Sequence, residues 1–237
     1  MSDKSVDIGG SDLFLLGAAQ FNAQTSSSPH GRDASGMLDE AGNNECETMV
    51  NNRTDYSANY AYCNATPNIK TDLGAILTAF ASVVSEKLIT AINMQFAFGE
   101  YATLDITGHN HDDNEHTAAL CGIADVSGAV PASAGFGVPD FGLTLGDNST
   151  PISASISFSL NHIDAQDADG EHWVGTNTTF RAELSLELLG IPTSITVSQI
   201  ETDLTGWTVD TNGGTDGNQE LDHFVITAHR FFDKTSA

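Results

Sequence analysis

The stretch Ile152-Ser-Ala-Ser-Ile-Ser-Phe-Ser-Leu160 decides the fold. Its even-numbered positions are all apolar and its odd-numbered positions are all serine. A period of two puts one set of side chains on each face of a strand, so one face is buried and the other is lightly polar. Phe180-Arg-Ala-Glu-Leu-Ser-Leu-Glu-Leu188 alternates as strictly and reads as its antiparallel partner. The loop joining them is Asp164 to Trp173.

Working outward, a second hairpin precedes this one. Leu88, Ile92, Met94, Phe96 and Phe98 share a face, Gly99-Glu100 turns the chain, and Ala102, Leu104 and Ile106 return it. Ser194–Ile200 and Leu221–Phe232 read as further strands, joined by the Gly- and Asn-rich segment 210–220. One helix is expected over about 72–86, capped by Thr71-Asp72. Leu73, Ile76, Leu77, Phe80, Val83 and Val84 form its apolar stripe. Residues 1–70 are rich in Ser, Asn, Asp, Gly and Thr and show no sustained period. They read as an extended polar arm with spaced aromatic anchors at Phe14, Phe21, Tyr56, Tyr60 and Tyr62. The expected fold is therefore mainly β, a β-sandwich or barrel of antiparallel hairpins with one amphipathic helix and a long N-terminal arm. The β-rich domain occupies 71–237.

Charge narrows the partners. The chain has 32 Asp+Glu against 8 Lys+Arg, a formal charge of −24. Nucleic acid and anionic membranes need cations that it lacks, so neither is expected as a direct partner. The carboxylates are spread along the chain, which fits general solvation, and grouped carboxylates also suit hard cations. No signal peptide opens the sequence and no apolar run reaches the length of a membrane span. Cys46, Cys63 and Cys121 make an odd number without metal-ligand spacing, leaving a Cys46–Cys63 bridge open.

The densest chemistry is His109, His111 and His116, interleaved with Asp112, Asp113 and Glu115. Imidazoles two apart on an extended segment point the same way, and Glu115 can join them as a carboxylate ligand. A second group, Asp164, Asp167, Asp169 and Glu171 around Gly170, has the alternate oxygens of a calcium loop, although Gln166 and Thr176 break the full pattern. A solvated hairpin loop explains the same residues. These two groups are the candidate sites for a structural divalent metal or calcium; no other cofactor is expected. No Gly-x-Ser-x-Gly elbow and no phosphate-binding glycine loop is present, so no catalytic residue is assigned.

Two resemblances follow. His109-x-His111-x3-Glu115-x6-Gly122 resembles the first conserved motif of the cupin family. That resemblance implies a metal-dependent enzyme holding a first-row metal through His109, His111 and Glu115. The family's leading glycine would fall at Thr103, and its second motif is absent downstream. The layout across about residues 70–232 resembles virion structural proteins of tailed viruses, particularly tail-tube or capsid-decoration subunits. It implies a non-enzymatic, self-assembling protein of the virion, whose partners are copies of itself and other virion proteins. A cytoplasmic, cupin-like enzyme is the alternative.

Overall fold

The computed structural model describes residues 21–27, 30–38, 44–62, 83–84, 87–111, 137–138, 141, 143–144, 149–166, 168, 172–190, 196–204, 206–215 and 222–231. In chain order the elements are β1 (Phe21–Ser27), β2 (His30–Leu38), β3 (Asn44–Tyr62), β4 (Val83–Val84), β5 (Lys87–Ala97), β6 (Thr103–His111), β7 (Thr150–Gln166), β8 (His172–Leu189), α1 (Val197–Asp203), β9 (Thr208–Thr215) and β10 (His223–Phe231). The strands form one antiparallel sheet in the order β1-β3-β6-β5-β7-β8-β10-β9, with β2 also on β3 and β4 on β5. The mainly β fold expected from the alternation is the fold observed.

The alternation works because equivalent positions stack across strands. Tyr60, Leu104, Met94, Ile156, Leu184 and Ala228 are successive cross-strand neighbours, each at most 5 % exposed. Ala58, Ile106, Ile92, Phe158 and Ala182 make the next row. Each large side chain so buried contributes about 1.5–3 kcal/mol of transfer free energy. Phe141, Leu143, Ile200, Leu204 and Trp207 join the same cluster, with Phe141 meeting Phe96 edge-on at 5.7 Å. The opposite face carries the serines of β7 beside Glu183, Ser185 and Glu187 of β8.

Four expectations are corrected. The segment read as an arm supplies β1, β2 and β3 between residues 21 and 62, paired into the sheet. Most of the helix expected over 72–86 lies outside the described residues, but Val83–Val84 at its end pairs with Leu88 and Lys87 as β4. Segment 194–200, read as a strand, instead leads into α1. There the Thr196 hydroxyl accepts from the Gln199 backbone N–H at 3.2 Å, and Gln199 Nε2 donates to Asp203 one turn on at 2.7 Å. Thr196-x-x-Gln199 is capping-box spacing, and local capping outweighs a short alternation. Residues 208–215, partly read as a joining loop, form the edge strand β9. Cys46 lies near the start of the 19-residue β3, and Cys63, its partner in the bridge left open by the cysteine count, lies outside the described residues.

Two hairpins outrun the rest of the sheet. The β7–β8 ladder runs from Thr150↔Leu189 to Gln166↔His172. β5 accompanies β7 only as far as Ser159, and β10 accompanies β8 only to Arg181. Beyond that row the two strands pair with each other and with no further strand among the described residues. β3 behaves alike: β6 leaves it at Arg53, and residues 44–52 pair only with β2. Because Ser57, Thr107, Ala91, Ser159 and Arg181 are neighbours in one row, both ribbons leave the sheet at the same end. At roughly 3.3 Å per residue, β3 runs about 30 Å beyond the end of β6 at His111. On the same scale β7 runs about 20 Å beyond its last pairing with β5, and roughly 10 Å beyond the level of Lys87, where β5 begins.

Candidate functional site

His109 and His111 are built into the sheet as the end of β6 rather than carried on a hairpin tip. The β5–β6 turn is at Phe98–Glu100, and Gly108 to His111 form the opposite end of β6. Gly108 lies there because β5 runs close: an added Cβ would stand 2.5 Å from the Leu88 carbonyl oxygen. The next residue, His109, sits between Leu88 of β5 and Asp55 of β3 and is 2 % exposed. The Asp55 carboxylate is held by Arg53, with Nε–Oδ1 at 2.8 Å. His111 falls opposite Arg53 on the same strand and is placed by backbone register. Glu115 and His116 lie outside the described residues, so of the cupin-like set the sheet places His109 and His111. Among the described residues no group of three or more His, Cys, Asp or Glu is gathered around a common centre.

Of the acidic group, Asp164 is in β7 opposite Gly175. Asp167, Asp169 and Glu171 lie outside the described residues, so Asp164 is the one member of the calcium-loop candidate that the structure places.

Sequence reasoning missed the polar face, where carboxylates and imidazoles pair across strands. Glu187 is central. Ser153 Oγ donates to its Oε2 at 2.8 Å, and His223 Nδ1 donates to Oε1 at 2.8 Å. Ser153 is directly opposite Glu187, whereas His223 is its diagonal neighbour through Val225. The hydrogen bond from Ser153, then that from His223, holds the Glu187 carboxyl below its ordinary value, against a smaller opposing effect of burial. Serine, glutamate and histidine therefore meet in the wrong order for nucleophilic catalysis. The hydroxyl proton faces a weakened carboxylate base, and the imidazole is bonded to the other oxygen. A second pair, His229 Nδ1 to Asp210 Oδ1 at 2.6 Å, links β10 to β9, and His229 also meets Phe231 edge-on at 5.2 Å. Asn59 Nδ2 donates to Asp105 at 2.7 Å and Thr211 bonds Thr227 at 2.6 Å. The signal for this network was available: odd-numbered Ser, Glu and His on strands whose even positions are core.

No helix among the described residues is long and apolar enough to cross a membrane. No known protein family matches the chain, and no curated protein sequence matches it.

Proposed function

We propose that this chain is a self-assembling structural subunit of a virion, of tail-tube or capsid-associated type, rather than an enzyme. The observation that carries the reading is the pair of ribbons, β2–β3 and β7–β8, leaving the sheet at one end. Among the described residues no further strand pairs with the outer part of either ribbon, and a two-stranded ribbon without further strands or packing is marginal in water. Two of them at one end of the sheet, with β6 and β5 between them, fit a surface whose partner is another protein molecule.

The sheet ends support the same reading. β9 forms one edge, and its residues 210–214 are exposed. Thr208-Val-Asp-Thr-Asn-Gly-Gly-Thr215 contains no Lys or Pro of the sort that usually blocks an edge. β1 lies at the other end of the strand order. Pairing of unlike edges between copies is heterologous, and closes into rings when the rotation allows. Ribbons at one end then meet the next layer. The partners in this reading are copies of the chain and other virion proteins. The excess of acid keeps the polar face from adhering to nucleic acid.

Removal of ribbon alone tests this. Replacing 162–176 by a two-residue Asn-Gly turn keeps every β7 and β8 residue that pairs with β5 or β10. The full chain should form large particles by light scattering, and the shortened chain should fold with an unchanged thermal transition and fail to form them. Identical particles from both chains would refute the role of the ribbon.

A further inference from the structure

The β5–β6 turn exposes two aromatics that the core does not use. Phe98 and Tyr101 are 75 % and 54 % exposed, on either side of Gly99, whose φ of +76° suits the turn. Next to Tyr101 the polar face dips into an open trough of about 520 Å3. It exists because β7 carries serine at every polar-face position from 153 to 159, and small residues stand beside them at Ala97 of β5 and Ser185 of β8 while the longer Gln95 and Tyr101 rise at the side. Gln95, Tyr101, Thr103, Ser153, Ser155 and Ser185 line it, with Glu100 at the turn. A second hollow of about 250 Å3 shares Ser155 and Ser185 and continues to Ser157, Glu183 and Asp210.

The chemistry of this lining is selective. Serine and threonine hydroxyls and the Gln95 amide both donate and accept hydrogen bonds, while Glu100 and Glu183 only accept. Neither hollow is lined by Lys or Arg, so phosphates, sulfates and carboxylates find no counter-charge. The volume is in the range of about 300–1,000 Å3 typical of small-molecule sites. A ligand that suits it has many neutral hydroxyls and an apolar ring face. We propose that the trough binds a neutral oligosaccharide, with one sugar ring laid against Tyr101 and its hydroxyls bonded by Gln95, Thr103 and Ser155. The second hollow extends the site towards Asp210, so the ligand is a chain of sugars rather than a single ring. The proposal stands on the polar face alone and is independent of whether copies of the chain assemble.

The test uses the full chain and isothermal titration with four neutral hexasaccharides, built of glucose, mannose, galactose and N-acetylglucosamine, with spermine as the cationic control. At least one hexasaccharide should bind. Tyr101→Ala, at an exposed position, should weaken it about tenfold, the scale of one aromatic contact. Ser155→Val should weaken it similarly by removing a hydroxyl from the lining, and Ser155→Thr should restore it. Unchanged circular dichroism of each variant separates lost contacts from lost fold. The proposal is overturned if no hexasaccharide binds at millimolar concentration, if spermine alone binds, or if binding is indifferent to Tyr101→Ala and Ser155→Val.

Discussion

Gly108→Ala is the sharpest test of the packing around the histidines. In most strands this change is mildly stabilising, by about 0.4–1 kcal/mol, because alanine narrows the unfolded ensemble. Here the new Cβ would stand 2.5 Å from the Leu88 carbonyl oxygen, 3.3 Å from its carbon and 3.4 Å from the Ile89 Cα. All three are backbone atoms, so no side chain can swing aside. Relief requires β5 to move away from β6 by roughly 0.5–1 Å, next to the register shift between Ile89 and Ala91, where His109 and Leu88 are buried opposite one another. Overpacking of this kind costs about 1–3 kcal/mol, enough to reverse the sign of the usual effect. The net loss should be about 1–2 kcal/mol, or roughly 2–8 °C in Tm for a chain of this size. Gly213→Ala, on β9 with nothing within 4 Å of the added carbon, is the matched control and should show the usual mild stabilisation of about 0.4–1 kcal/mol. Thermal and urea unfolding of the two variants against wild type measure the difference. A Gly108→Ala protein as stable as the Gly213→Ala protein would refute the close approach of β5 and β6.

Three further outcomes follow from the core, the polar face and the charge. Phe158→Ala, emptying a fully buried position in the central strand, should cost about 3–5 kcal/mol by urea unfolding. Glu187 has a native pKa below its unfolded one. Its contribution is therefore complete above the ordinary carboxylate range and is lost as pH falls from there through the lowered native value. Glu187→Gln should then reduce stability at neutral pH by about 1 kcal/mol or less, since the pair is partly exposed, and the difference from wild type should shrink as pH falls from about 5 to 3. Raising salt from 0.1 to 1 M shortens electrostatic reach from about 10 to 3 Å and should raise the Tm of a chain carrying −24 by several degrees. A flat or falling Tm would contradict diffuse self-repulsion.

What the residues disclose in advance depends on whether a strand has a dry face. β7 and β8 are read directly from Ile152–Leu160 and Phe180–Leu188, because each has one face in the core and one in water. β5 and β6 are legible for the same reason, with Gly99 marking the turn. β3 is not: its outer half, Asn-Glu-Cys-Glu-Thr-Met-Val-Asn-Asn, shows no period of two, and among the described strands it pairs with β2 alone. β9, at an edge and mostly exposed, likewise reads as a loop of Gly and Asn. α1 was concealed by a short alternation, although the Thr196–Gln199 cap was present. The burial of His109 is not legible locally, because the seven residues that follow it, Asn110 to His116, are all polar or charged, while it is Leu88, on a strand some twenty residues away, that stands opposite it. The Glu187 network could not be read from spacing along the chain, since Ser153, Glu187 and His223 meet only once three strands are in register.

The central claim is that copies of this chain pair through their ribbons and sheet edges. Negative-stain electron microscopy of the purified full chain, with light-scattering mass across a concentration series, tests it most directly. Rings, stacked rings or tubes of many copies, without stoichiometric metal, are the result expected. A monomer or small oligomer at every concentration, carrying one transition-metal ion per chain, would contradict it and return His109 and His111 to an enzyme site.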